Sequence, residues 1–215
     1  MRRFIFVSPA VDFLSSRMRF WLEEAAAGAA GSIAIKLFGL QAAWKILYET
    51  LVVASANLDR VVVFFYGHGS RQSLLTAQQL GKSSVGRGFG VLCDETDIPR
   101  GSSVSVVSYS CNAAKELGIA VRNVYEGNAF LGFTDEICFT LRNEVEEGAF
   151  KRPMNRLVEL ILSGKDVDQS ARTSLVNEYQ EVYNEWDFDQ RSQEDGQLLV
   201  LMCLETHWRS LDREV

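Results

Sequence analysis

The chain has 215 residues, and at roughly 150 residues per domain this length predicts one domain over residues 1–215, large enough to bury a core without staples. Hydrophobic residues make up 47% and charged residues 23%, which excludes a disordered, fibrous or coiled-coil protein. Lys plus Arg number 22 against 28 Asp plus Glu, and the resulting charge of −6 repels nucleic acid and anionic lipid, so neither is expected as a partner.

From the N-terminus onward, short runs rich in Val, Ile and Phe and bounded by turn signals read as buried strands. The first, Phe4 to Val7, follows two arginines and ends at Ser8 and Pro9, too short for the apolar core of a secretory signal, so a cytoplasmic location is expected. Asp12 caps a helix to about Ala27, with Phe13, Arg17, Phe20, Trp21 and Glu24 setting its amphipathic face. Ile33 to Phe38 is the second strand. It lies in the most apolar window, Ala25 to Trp44, but Gly28, Gly31, Ser32, Lys36 and Gly39 break that window, and a span needs about 20 predominantly apolar residues. Buried soluble structure is expected there, with no membrane contact. Gln41 to Asn57 reads as a helix with Ala43, Ile46, Leu47, Leu51 and Val52 inward, followed by the strand Val61 to Tyr66.

Arg71 to Pro99 turns to Gly, Ser and polar residues without a clear period, and a loop of that length inside a domain is often functional. Its GKSSVGRGFG stretch lacks both G-K-[ST] and G-x-G-x-x-G, so no nucleotide or other cofactor is expected. Val104 to Ser108 and Ala129 to Phe133 are further strands. Asn155 to Trp186 is a charged helical region, Asn184 to Gln197 a solvated connection, and Leu198 to Leu204 the last strand. Such alternation predicts an α/β fold: a three-layer α/β/α sandwich with a largely parallel central sheet.

Four cysteines, Cys93, Cys111, Cys138 and Cys203, contain no C-x-x-C pair, so no zinc or thioredoxin-like motif forms locally and no metal is expected. Reduced thiols are expected, with Cys93, Cys138 and Cys203 as core fillers. Cys111 differs because a strand end delivers it. One strand runs into Gly67-His68-Gly69-Ser70 and another into Tyr109-Ser110-Cys111-Asn112. In open α/β sheets reactive groups gather beyond the carboxyl ends of the strands, so neighbouring strands would bring imidazole and thiol within reach of proton transfer. Cys111 lies 43 residues after His68, near the roughly 50 of caspases. His207 is the only rival imidazole.

These segments, YGHGS, SYSCNAAKELG and NAFLGFTDEICF in that order over Val61 to Phe139, resemble the caspase-like cysteine peptidases, most closely their prokaryotic CHAT and separase-like branch. Tyr109-Ser110-Cys111-Asn112-Ala113 departs from the Q-A-C-x-G of eukaryotic caspases, so cleavage after Asp is not implied. The resemblance implies a Cys-His dyad cutting a protein substrate, with Cys111 as nucleophile and His68 protonating the leaving amine. It implies an oxyanion hole from the backbone N–H groups of Gly69 and Cys111. A helix beginning near Asn112 would lower the pKa of the thiol. It also implies a prokaryotic stress, cell-death or defence module with a regulatory protein partner. Asp135 falls where separase-like members carry a substrate-pocket acid, which would favour Arg or Lys; equally, it could cap a helix from Glu136. Asp94, Glu95 and Asp97 could serve as that acid or be solvated. Residues Arg71 to Glu95 are expected to be a mobile flap over the dyad.

Overall fold

A computed structural model describes residues 2–29, 33–56, 60–77, 84–85, 89–100, 103–124, 126–189 and 195–212. Along the chain these form β1 (Arg2–Ser8), α1 (Phe13–Ala27), β2 (Ile33–Phe38), α2 (Trp44–Ala56), β3 (Arg60–Tyr66), β4 (Ser73–Ala77), β5 (Ser84–Val85), β6 (Phe89–Asp94), β7 (Val104–Tyr109), α3 (Leu117–Val124), β8 (Ala129–Leu131), α4 (Glu144–Leu162), α5 (Gln169–Asp189) and α6 (Asp195–Ser210).

Five strands make a parallel sheet in the order β2-β1-β3-β7-β8. The near-continuous apolar runs of β1, β3 and β7 follow from burial on both faces. Alternate residues divide between two cores. Phe4, Phe6, Val62, Phe64, Tyr66, Val107 and Tyr109 face α1, α4, α5 and α6, while Ile5, Val7, Val61, Val63, Phe65 and Val106 face α2, α3 and the β4–β6 region. Parallel crossovers are right-handed, so reversing direction along the sheet moves the connection to the opposite face. The chain steps one way from β1 to β2 and the other way from β2 through β3 and β7 to β8, which places α1 on one face and α2 and α3 on the other. The order therefore switches at β1 and β3, where α/β sheets form a crevice beyond the strand ends.

Several expectations are corrected. Leu198 to Leu204 is not a strand but part of α6, and its buried residues Val200, Cys203, Leu204 and His207 recur at helical spacing. In α1 the inner face is Met18, Trp21, Leu22 and Ala25, whereas Phe13 and Phe20 are 71% and 52% exposed. α2 starts at Trp44 and buries Leu47, Leu51 and Ala54, leaving Ile46 and Val52 exposed. The charged region is two helices, α4 and α5, joined by Arg152, which pairs with Glu178 at 2.8 Å and Glu185 at 2.6 Å. α5 continues to Asp189 through the start of the expected connection, and residues 190–194 lie outside the described residues.

The expected loop from Arg71 to Pro99 contains a small antiparallel sheet, β4-β6-β5, whose Leu74 and Cys93 enter the second core. That anchors the described part of the expected flap; residues 78–83 and 86–88, including most of GKSSVGRGFG, lie outside the described residues. Cys138 and Cys203 are joined in a disulfide with Cα atoms 5.3 Å apart, so the expectation of reduced thiols fails for this pair. Cys93 is a buried core residue, as expected. No helix among the described residues is long and apolar enough to cross a membrane.

Candidate active site

β3 and β7 are neighbours, paired to Tyr66↔Tyr109, and Gly67 N–H extends the ladder by donating to Tyr109 O at 3.2 Å. His68 and Cys111 each stand two residues beyond that last strand pair. The turns that carry them are in contact. A Cβ placed on Gly69 would lie 2.5 Å from Ser110 Oγ and 2.7 Å from the carbonyl oxygen of Cys111, so only glycine permits this approach.

His68 is held from two directions. Its carbonyl accepts the N–H of Leu75 at 3.0 Å, and Gly69 bridges to Leu74, tying the turn to β4. The ring Nε2 lies 2.6 Å from Asp12 Oδ2. Asp12 is the cap of α1, as its sequence pattern indicates: its Oδ1 accepts the Ser15 N–H at 2.8 Å and the Ser15 hydroxyl at 2.7 Å. Its place beside His68 was not legible from the capping pattern, because the contact depends on β1 lying next to β3. Burial works against charge on Asp12, but the Ser15 hydrogen bonds and nearby His68 outweigh it and hold the carboxyl below its ordinary range.

The Cys111 sulfur is partly buried under the segment that leaves β8. Ile137 N–H donates to it at 3.5 Å, and the thiol points to Ile137 O at 3.8 Å. Burial pushes the thiol pKa up; the Ile137 N–H pulls it down without cancelling that, and Glu136 adds to the rise. This corrects the expected acidic thiol. Residues 111–116 form turns, and α3 starts only at Leu117, so no helix end lies directly on the sulfur. Asn112 has φ +58° and donates its N–H to Asp135 O at 3.1 Å. Ala10, after β1, has φ +52°. These are the two non-glycine residues with positive φ among the described residues, and both lie at the sheet edge that carries Asp12, His68 and Cys111.

Asp135 is exposed and pairs with Lys115 at 3.2 Å. No helix begins at Glu136, which removes the capping alternative. The chain there is drawn out instead: Thr134 N–H donates to Ser210 O at 2.6 Å, Phe133 bridges to Leu211, and Cys138 is bonded to Cys203. The acidic run before β7 is not uniformly solvated. Asp97 is buried, accepting from Trp44 Nε1 at 2.8 Å and from Asp94 N–H at 2.9 Å.

His207 is buried among Tyr109, Phe133, Phe139, Phe150 and Tyr179. Its Nε2 is 2.9 Å from Cys138 O, while Nδ1 faces the hydroxyls of Tyr179 at 3.3 Å and Tyr109 at 3.4 Å. Burial lowers its pKa to about 3, so it packs as a neutral ring and is no surface base. The edge thus presents a carboxylate, an imidazole and a thiol on the ends of β1, β3 and β7, with the sulfur hydrogen-bonded to Ile137 and the His68 ring to Asp12. No protein-family model, curated protein or solved structure matches this chain.

Proposed function

We propose that the chain is a cysteine endopeptidase of caspase-like fold that cleaves a protein partner, with Cys111 as nucleophile and His68 as proton carrier. The observation that carries this reading is the adjacency of the two strand-end turns, with Gly69 packed against Ser110 and the Cys111 carbonyl. Cys111 Sγ attacks the scissile carbonyl carbon as its proton passes to His68. The N–H groups of Gly69 and Cys111 receive the developing oxyanion. His68 then returns the proton to the leaving amine as the C–N bond breaks, and water hydrolyses the thioester. A thiol with a raised pKa is protonated at rest, so proton transfer accompanies attack instead of preceding it.

Asp135 is the proposed acid for an Arg or Lys side chain of the substrate. Its exposed pair with Lys115 is weak enough to exchange for a substrate cation. The wider setting proposed is a prokaryotic defence or cell-death module with a regulatory partner. The raised thiol pKa and the Ile137 cover favour a second reading, a caspase-like scaffold of weak activity. A hydrolase or acyltransferase acting on a small molecule would use the same pair.

The test is a peptide-library digest together with a thiol-directed acyl probe. Cys111→Ala should abolish cleavage and labelling while the protein stays folded, and His68→Ala should lower the rate by about 10²–10⁴. Activity that survives Cys111→Ala, or that is lost equally in Cys93→Ala, overturns the assignment. Probe labelling of Cys111 no faster than that of a free cysteine would favour the scaffold.

A further inference from the structure

We infer that Asp12 is a positioning residue, its carboxylate holding the His68 ring in the tautomer that carries hydrogen on Nε2 and leaving Nδ1 as the proton acceptor. This rests on the reading of His68 and Cys111 as a reacting pair. Asp12 uses its two oxygens for different tasks. Oδ1 accepts from Ser15 N–H and the Ser15 hydroxyl and fixes the start of α1, which leaves Oδ2 aimed at His68 Nε2 at 2.6 Å. A carboxylate kept ionised is an acceptor only, so Nε2 must be the donor and the neutral ring keeps its lone pair on Nδ1.

The backbone that delivers Asp12 is itself fixed against the end of β3. Ser8 donates its hydroxyl to Tyr66 O at 2.7 Å in a buried bond, and Pro9 Cδ lies 3.3 Å from where a Cβ on Gly67 would be. Ala10, at φ +52°, then turns the chain sharply toward the cap. A strained residue is retained where the surrounding structure over-determines it, and here the turn sets Asp12 next to the imidazole. Asp12 and His68 are 42% and 28% exposed at the side chain, and a pair this open adds little to folding. Orientation of the ring is the larger effect.

Asp12→Asn keeps the Oδ1 acceptor for the α1 cap and replaces Oδ2 with a donor. In a 15N-resolved imidazole spectrum, His68 should be protonated on Nε2 in the wild type and on Nδ1 in Asp12→Asn. The variant's kcat on the best peptide should fall by about 100-fold or more with KM changed less than about threefold. Asp12→Ser, which retains a good cap, should give mixed tautomers and an intermediate kcat. An Nε2-protonated ring in both variants overturns the inference whatever the activity. A wild type that cleaves no peptide and whose Cys111 is unlabelled, yet whose tautomer switches in Asp12→Asn, overturns the peptidase reading and leaves the hold of Asp12 on His68 standing.

Discussion

Lowering the pH should unfold this protein partly through His207. An ordinary histidine takes up its proton near pH 6.5, but burial keeps the native ring neutral down to about pH 3. Between those values the unfolded chain binds a proton that the native state refuses, so stability is full above about pH 6.5 and falls as the pH drops toward 3. At pH 5, 1.5 units below the ordinary value, the loss at about 1.36 kcal/mol per unit is roughly 2 kcal/mol. The Cys138 carbonyl facing Nε2 favours the protonated ring and opposes this shift, but burial outweighs it, since the ring is enclosed by Tyr109, Phe133, Phe139, Phe150 and Tyr179. Urea unfolding followed by tryptophan fluorescence at pH 7.5, 6 and 5 measures the loss. His207→Gln, whatever its stability at pH 7.5, should lose about 2 kcal/mol less than the wild type on going to pH 5, because the carboxylate contributions common to both cancel. An equal loss in both proteins, or native His207 ring protons that titrate between pH 7.5 and 5, would refute the reasoning.

Gly69→Ala should cost about 1–3 kcal/mol and most of any Cys111-dependent activity, since the new methyl meets a backbone oxygen that cannot swing aside. Gly148→Ala, in α4 with nothing within 4 Å of the added carbon, should instead stabilise by roughly 0.5–1 kcal/mol. Thermal unfolding of both variants checks the contrast, and a destabilised Gly148→Ala with an unaffected Gly69→Ala would reverse it. Reducing the Cys138–Cys203 bond should lower stability by about 2–4 kcal/mol, as expected for a link spanning 65 residues. Alkylation under denaturing conditions should then modify Cys93 and Cys111 before reduction and all four cysteines after it; four modifications without reductant would contradict the bond.

The sequence by itself determined the buried strands and their kind of sheet. Val61 to Tyr66 is apolar at every position and Val104 to Tyr109 at all but Ser105 and Ser108, a run with no polar face that a strand satisfies only with both faces covered, and that requires helices on both sides of a parallel sheet. It also marked His68, Gly69 and Cys111 as strand-end residues, because Gly-His-Gly and Ser-Cys-Asn interrupt those runs. The run Leu198 to Leu204 was ambiguous, since a short apolar stretch fits strand or helix until the core shows which side is buried. Tertiary structure alone decided the rest. Asp12 meets His68 because β1 lies beside β3, 56 residues apart in sequence. Cys138 reaches Cys203 because the segment after β8 is held against α6, and that segment also buries the Cys111 thiol and raises its pKa. Local pattern carries the period of an element and its caps, whereas the dielectric around a thiol or the partner of an imidazole depends on chain segments brought together only when the sheet order is fixed.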